Sequence, residues 1–327
     1  MRKISKMVIK VCLVLGALLV MVFGASWIYH LNAIKKEVLD TPPPGKMVEV
    51  NGHQMHVYQQ GKGKQTVVFL SGNGTSAPML DFKPLWSLLS SSNSIAVVEK
   101  AGYGWSEVAD VSREIDVILE ETRTALQLVE IRPPYVLAAH SMSGIEAIRW
   151  AQLYPEEVDS IIGLDPAIPS VYEIFPIPSS MELILPTIFA RSGMIRWIPS
   201  LFNQSAAIAS GNLLKKDQEV YRSILYRRTL TSNMAEEIEQ IKENAKKVER
   251  EGIPKDTPML FFISNGKEIP IENWGEMLED YVSELKIGES IVVDAGHYVH
   301  AWQPETIAEK IELFLNKHSL RKTIDAE

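Results

Sequence analysis

Residues Ala138–Gly144 read AAHSMSG and overlap a predicted buried strand, Tyr135–Ala139. A serine on a sharp turn from a strand into a helix is held in a strained conformation, with its hydroxyl exposed above the sheet and the next amide directed at a developing oxyanion. The residues two before and two after Ser141 are Ala139 and Ser143, which are small enough to let the strand and the helix approach closely. Ser141 is therefore the candidate nucleophile, and an ordinary strand-to-helix loop is the alternative interpretation of this motif alone.

Apolar runs and helical stripes alternate along the chain around this turn. Asn51 and Gly52 predict a hairpin turn between two short strands. Other predicted strands are Thr66–Leu70, Ser94–Val98, Val158–Leu164, Met259–Ile263 and Ser290–Val293. Predicted helices are Pro84–Ser90, Ser112–Glu130, Ile145–Leu153 and Glu305–Leu315. The alternation predicts an α/β fold, with a mostly parallel sheet flanked by helices and an antiparallel start.

The alternation is interrupted between Ile168 and Asp256, where no strand is predicted. Apolar sequence rich in Pro, Met and Ile comes first, and charged helical sequence follows from Leu213 to Glu251. We expect an inserted helical cap over the C-terminal edge of the sheet, where open α/β folds bind ligands. Its apolar residues indicate either a hydrophobic substrate or packing on the sheet; they include Ile174, Phe175, Ile184, Leu185, Ile188 and Phe189.

A serine is a weak nucleophile at neutral pH and needs a base, usually a histidine oriented by a carboxylate. His297 follows the last predicted strand, so its loop lies at the same sheet edge as Ser141 despite their distance in the sequence. We therefore expect His297 to be the general base. His300 is near enough in sequence to suggest a metal pair with His297, but no third ligand lies nearby, and no metal is expected.

These motifs resemble, in their order, those of the α/β-hydrolase fold family, in its lidded esterase, lipase and peptidase branch. The resemblance spans about residues 47–316. It rests on four segments: the turn Ser71–Gly74, the loop Glu99–Ser106 (EKAGYGWS), the elbow Ala139–Ser143, and the late pair Gly296 and His297.

The sequence departs from the family pattern at a few positions, each occupied by a small or chemically similar residue. Ala139 and Ser143 replace the two elbow glycines, Ser71 replaces a common histidine, and Glu99 replaces an aspartate. These changes leave the nucleophile and the base intact, and they affect the expected geometry of the oxyanion hole.

The resemblance also implies the rest of the site. The backbone amides of Asn73 and Met142 would form the oxyanion hole. The acid would follow the strand after the cap, which favours Glu268, and Asp165 is the alternative because some branches place the acid after the strand that ends at Leu164. Either carboxylate is able to orient an imidazole. No cofactor is implied.

Together these features predict a serine hydrolase that cleaves an ester, or an amide, of a small hydrophobic substrate through an acyl-enzyme. Serine at the elbow argues against epoxide hydrolases and dehalogenases, which resemble this fold but carry aspartate there. A proline-iminopeptidase-like aminopeptidase, cofactor-free peroxidation and a non-catalytic binding protein of the same fold stay open as alternatives.

The chain has 327 residues, of which 46% are hydrophobic and 23% charged, and this composition excludes a mostly disordered or fibrous protein. A formal net charge of −8 disfavours nucleic acid as a partner. The single cysteine, Cys12, leaves the folded part without a disulfide or a thiolate metal site. The expected partners are a small apolar or acyl substrate and a membrane.

The membrane is expected because Val11–Tyr29 contains no charged residue and is long enough to cross roughly 30 Å of hydrocarbon. Basic residues precede this run, and no acidic residue comes before Glu37. The positive-inside rule then predicts a single-pass signal-anchor in the cell membrane, with a cytoplasmic N-terminus and the catalytic domain outside. A cleaved signal peptide and a secreted protein are the alternative.

These patterns divide the chain into five parts. We expect an anchor at 1–30, a linker at 31–46 with an extended spacer at Thr41–Gly45, an α/β core at 47–167 and 257–317, a helical cap at 168–256, and a tail at 318–327.

Overall fold

A computed structural model of the chain describes residues 2–63 and 65–324, and within these ranges all side chains except those of 2–5, 180 and 319–324. Its sheet has eight strands: β1 (Lys46–Val50), β2 (His53–Gln60), β3 (Thr66–Leu70), β4 (Ser94–Glu99), β5 (Tyr135–Ser141), β6 (Val158–Pro166), β7 (Met259–Ile263) and β8 (Gly288–Val292). Each corresponds to a strand expected from the sequence.

The strands lie in the order β1-β2-β4-β3-β5-β6-β7-β8. The pairs β1·β2 and β2·β4 are antiparallel, and all other neighbouring pairs are parallel. The first hairpin turns at Asn51 and Gly52, whose φ angles of 50° and 84° are the left-handed conformation that an Asn-Gly turn supplies. The predicted, mostly parallel sheet with an antiparallel start is therefore confirmed.

Helices cover both faces of the sheet and form two hydrophobic layers with it. One layer contains α4 (Ile115–Leu128), α5 (Ser143–Leu153) and, near the C-terminus, a helix at Trp274–Ser283. The other contains two short helices, α2 (Pro78–Asp81) and α3 (Lys83–Leu89), and a long final helix at Pro304–Ile324. The central strands read as continuous apolar runs because both of their faces are buried.

Between β6 and β7 the described chain is helical and contributes no strand to the sheet. A short 3-10 turn occupies Met194–Trp197, and the helices are α6 (Val171–Ile174), α7 (Ser180–Arg191), α8 (Ser200–Asn203), α9 (Ala206–Ala209), α10 (Lys215–Arg228) and α11 (Ser232–Arg250). After the cap come the helices α12 (Trp274–Ser283), α13 (Val299–Trp302) and α14 (Pro304–Ile324). We refer to residues 168–256 as the cap.

The N-terminal helix α1 runs without interruption from Arg2 to Asp40. It is long and apolar enough to cross a membrane, with a mean hydropathy of 2.6 over its most apolar 18-residue window. The linker expected at 31–46 is thus helical up to Asp40, and only Thr41–Gly45 has a non-helical conformation before β1. The last turns of α1 pack on the cap, which explains why they stay helical beyond the apolar run.

At the far end of the chain, the first part of the expected tail is helical. Helix α14 continues past 317 to Ile324, and positions 325–327 of that tail lie outside the described residues.

Candidate active site

Ser141 ends β5 and has a φ of 55°, the strained left-handed conformation expected of a nucleophile elbow. Its carbonyl accepts a hydrogen bond from the Ala167 amide at 2.8 Å. The hydroxyl of Ser143 donates to the carbonyl of Leu70 at 2.7 Å and lies 2.9 Å from that of His140. Ser143, which replaces an elbow glycine, is buried, and its bond to Leu70 connects the turn to β3.

The turn after β3 approaches Ser141 closely at Gly72. A Cβ atom built on Gly72 would lie 2.7 Å from the Cβ of Ser141 and 2.9 Å from the His140 carbonyl oxygen. A larger residue would push the two loops apart. The glycine thus allows the backbone of the predicted oxyanion turn to lie beside Ser141.

His297 lies on the loop between β8 and α13, and its ring contacts both Ser141 and Asp165. Its Nε2 is 2.9 Å from Ser141 Oγ, and its Nδ1 is 2.6 Å from Asp165 Oδ2. Because a carboxylate only accepts hydrogen bonds, Nδ1 carries the proton in a neutral ring and Nε2 is free to accept one from the serine hydroxyl. This is the arrangement in which a histidine acts as a general base toward serine.

Asp165 is completely buried at the end of β6, and both of its carboxylate oxygens are engaged. Oδ2 faces His297, whereas Oδ1 accepts hydrogen bonds from the Trp274 indole at 2.8 Å and from the Ser264 amide at 2.9 Å. These donors hold the carboxylate in place. No spacing or periodicity in the sequence pointed to Trp274 or Ser264, since their role arises from contacts between distant segments.

Glu268, the acid favoured from the sequence, occupies a different position. Its Oε2 accepts a hydrogen bond from the backbone amide of His297 at 2.8 Å, and the side chain is exposed. Gly296 lies directly against the same carboxylate. Glu268 therefore holds the loop that carries His297 and does not contact the Nδ1 atom. This geometry corrects the preference for Glu268 and points to Asp165, the alternative.

Asn73 and Met142, the predicted oxyanion-hole residues, line one cavity together with Ser141 and His297. The side-chain amide of Asn73 donates to the carbonyl of Met234 in α11 at 2.8 Å. This bond connects the turn after β3 to the cap, and no pattern in the sequence predicted it.

This cavity has a volume of about 290 Å³ and a mostly apolar wall. Its size is at the lower end of the range for small-molecule pockets, roughly 300–1,000 Å³. The core and the cap both contribute to its lining, which includes Met142, Ala167, Val171, Tyr172, Phe175, Ile177, Pro178, Ile238, Ile241, Ile269, Pro270 and Trp274.

The apolar cap residues singled out from the sequence have different surroundings. Phe175 lines the cavity, and Phe189 packs against the core. In contrast, Ile174, Ile184, Leu185 and Ile188 are at least half exposed and neither line the cavity nor pack on the sheet.

Two buried histidines lie behind His297. His140 Nε2 is 3.3 Å from the carbonyl oxygen of His297, and burial lowers the pKa of His140 well below its usual range. His300 packs on Phe82 with ring centroids 4.7 Å apart, and burial lowers its pKa to about 3. His300 thus belongs to the packed core beneath the site.

Comparison with known proteins agrees with this architecture. A family model described as the alpha/beta hydrolase family matches residues 67–310. The uncharacterized protein YbdG of Bacillus subtilis (strain 168) is 34% identical over 310 residues, covering 93% of this chain and 95% of that protein.

Solved structures with related folds include proteins of different activity. A membrane phospholipase A described as a bacterial virulence factor superimposes with a TM-score of 0.62 at 16% identity, covering 96% of this chain and 99% of the other. A haloalkane dehalogenase variant, DbeA-M1, from Bradyrhizobium elkanii gives a TM-score of 0.63 at 15% identity, covering 86% and 98%. At these identities the likeness establishes the fold and not the reaction, and the expected α/β-hydrolase fold is confirmed.

Proposed function

The chain belongs to the alpha/beta hydrolase family, and on that premise we propose that it is a serine hydrolase that cleaves an ester of a small, apolar acyl substrate. The observation that carries the proposal is the 2.9 Å separation between His297 Nε2 and Ser141 Oγ, with Asp165 on the opposite side of the imidazole. The proposed nucleophile and the orienting acid are then each within hydrogen-bond distance of the base, which is the requirement for activating a serine.

The reaction proceeds in two halves. Ser141 Oγ attacks the ester carbonyl carbon while His297 Nε2 takes the hydroxyl proton. As the tetrahedral intermediate collapses, the His297 imidazolium gives that proton to the leaving alcohol. Water then attacks the acyl-enzyme with His297 again as the base, which releases the acid and restores Ser141. Asp165 stabilises the imidazolium that forms in each half, because its negative charge lies 2.6 Å from Nδ1.

The oxyanion is assigned to the backbone amides of Asn73 and Met142. Both residues line the cavity beside Ser141, and the close approach at Gly72 keeps the turn after β3 next to the nucleophile. A preorganised amide donor of this kind lowers the barrier by about 3 kcal/mol.

An apolar acyl group is favoured because the cavity wall is mostly apolar and its volume is small. A second candidate, an aminopeptidase, is supported by Glu268, a carboxylate that lines the cavity and offers a partner for a substrate ammonium group. Turnover of p-nitrophenyl esters of increasing chain length, compared with amino-acid p-nitroanilides, separates the two. Faster turnover of the anilides would contradict the esterase proposal.

A fluorophosphonate probe tests the proposal against a non-catalytic binding protein. We expect covalent labelling of the native chain, no labelling of Ser141→Ala, and weak labelling of His297→Ala. Ser87→Ala is the matched control because Ser87 is exposed on α3, away from the site, and should label normally. Failure of the folded native chain to label would contradict the enzymatic proposal.

For location, we propose that α1 is an uncleaved anchor and that the hydrolase domain lies outside the cell membrane. The proposal rests on the apolar length of α1 and on the basic residues at its start.

A further inference from the structure

Large apolar side chains are exposed on α7 and on the cap segment that follows it in the chain. They are Met181, Ile184, Leu185 and Ile188 on α7, Trp197 in the 3-10 turn, and Leu201 on α8, with Met181 80% and Leu185 75% exposed. We call these six residues the cap face. The four on α7 recur at spacings of three and four, so they share one side of the helix. Contiguous exposed apolar side chains on a folded domain indicate an interaction surface.

The end of α1 is bound to the same part of the cap. Arg196 forms a two-pronged ion pair with Glu37, at 2.6 and 2.8 Å, and its Nε is 2.7 Å from His30 Nδ1. The neighbouring Trp197 indole donates to Ser26 Oγ at 3.1 Å, and its ring lies 5.7 Å from that of Tyr29. The 3-10 turn is therefore attached to the last turns of the apolar helix.

These contacts determine how far the cap lies from a membrane that α1 crosses. Ser26 and Tyr29 belong to the uncharged run Val11–Tyr29, which is about 28 Å long at 1.5 Å per residue. That length is close to the hydrocarbon thickness of roughly 30 Å, so the run has no excess length to hold the cap away from the bilayer. Trp197 is then at the level of the lipid headgroups, where tryptophan is enriched.

In the chain, the cap face directly follows residues that line the catalytic cavity. Phe175, Ile177 and Pro178 line the cavity, and the chain passes from them through Ser179 into α7. An apolar molecule that lies along α7 would therefore reach the segment that lines the cavity.

We infer that the cap face lies in the lipid surface beside α1 and that the substrate is a membrane-resident acyl ester, which enters the Ser141 cavity along α7. The bilayer is the occupant because the face adjoins the anchor that crosses it. The contact between the cap face and the lipid requires only that α1 spans the membrane. The entry of the substrate along α7 rests on the proposed function.

The depth of spin labels in lipid vesicles, measured on the full chain, tests the contact between the cap face and the lipid independently of activity. In a Cys12→Ser background, single cysteines at Met181 and Leu185 are nitroxide-labelled and reconstituted in phosphatidylcholine–phosphatidylglycerol vesicles. Leu128→Cys on α4 is the matched control, since Leu128 is 53% exposed and lies away from the cap. We expect the labels at 181 and 185 to be accessible to oxygen and shielded from a nickel chelate, and the label at 128 to be accessible to the chelate.

Two results would contradict the proposed contact between the cap face and the lipid. Chelate accessibility at 181 and 185 equal to that at 128 would place the face in water. Spin–spin broadening between chains at 181 and 185 would show that a second copy covers it.

Charge substitution tests the substrate route. Leu185→Glu should lower turnover of a long-chain ester embedded in vesicles and leave hydrolysis of a short soluble ester unchanged, because a carboxylate on this face is costly to place among lipids. Leu128→Glu should affect neither substrate. An unchanged rate on the embedded ester, or an equal loss on both, would overturn the route. Failure of the native chain on both esters would overturn the proposed function, while the depth measurement would still decide the contact.

Discussion

Two carboxylates lie near His297, and they differ in burial and in the atom that they contact. Asp165 is completely buried and faces the imidazole Nδ1, whereas Glu268 is exposed and binds the backbone amide of the same histidine. Asp165 lies at the end of β6 and Glu268 follows β7, and the ends of these two neighbouring strands meet at one sheet edge. Sequence position therefore did not decide between Asp165 and Glu268 as the acid. The structure distinguishes them, because Asp165 contacts the imidazole ring of His297 and Glu268 contacts the backbone of the loop that carries it.

We expect Asp165→Asn to lower kcat on a p-nitrophenyl ester by about 10⁴-fold, because the amide would favour the wrong imidazole tautomer. Glu268→Gln should cause a much smaller loss, since an amide oxygen still accepts the bond from the His297 backbone. Steady-state kinetics on both purified variants measure the difference. A larger loss in Glu268→Gln than in Asp165→Asn would contradict the assignment of the acid.

The buried His300 makes stability sensitive to acid. In the unfolded chain this histidine gains a proton below about pH 6.5, whereas burial lowers its folded pKa to about 3. Stability is therefore lost as the pH falls from about 6.5 to about 3. Substituting His300→Leu should reduce this slope by up to about 1.4 kcal/mol per pH unit. Denaturant titrations at several pH values in that range measure it, and parallel curves for the two proteins would refute the prediction.

Helix α11 is attached to the core by a buried charge cluster centred on Glu237. Its carboxylate binds Tyr103 Oη at 2.6 Å and Arg113 Nη2 at 3.1 Å, and lies 3.4 Å from Lys100 Nζ. Although burial opposes it, Lys100 and Arg113 hold the pKa of Glu237 below its usual range. Helix α11 also accepts the hydrogen bond from the Asn73 side chain through the carbonyl of Met234. The charge cluster that holds α11 therefore also helps to position the turn after β3 beside Ser141.

Substituting Glu237→Ala should destabilise the protein by about 3–5 kcal/mol, because it leaves the buried Arg113 without one of its two carboxylate partners. Glu243→Ala is the matched control on α11, where an exposed pair with Lys246 should contribute little. Chemical denaturation of the full chain in detergent measures both. Equal stability of the two variants would show that the cluster does not hold α11.

The whole molecule combines a long apolar N-terminal helix with a domain of the alpha/beta hydrolase family, and the proposed placement of that domain outside the membrane is measured directly. In a Cys12→Ser background, we expect a cysteine at Leu128 to react with an impermeant maleimide in intact cells, and one at Met7 to react only after lysis. Both side chains are exposed, so accessibility in the folded chain does not confound the comparison. The opposite pattern would place the domain in the cytoplasm.

Much of this architecture follows from local sequence. Apolar runs predicted β3 to β8, and the turn at Asn51 and Gly52 predicted the hairpin of β1 and β2. The elbow at Ser141 and the loop of His297 were also recognisable from neighbouring residues. Such features are set by side-chain periodicity and backbone conformation within a few residues. Strands that alternate with helices form a parallel sheet, and the loops that follow such strands meet at one edge. The alternation therefore predicted that Ser141 and His297 share that edge.

Only the tertiary structure decided which groups meet across distant segments. The charged stripe of α11 gave no sign that Glu237 is buried, and the apolar sequence of α7 gave no sign that Leu185 is exposed. Asp165 likewise became distinguishable from Glu268 only when Trp274 and Ser264 were placed against it. Burial and hydrogen-bond direction depend on how separate elements pack, and the spacing of residues along the chain does not contain that information.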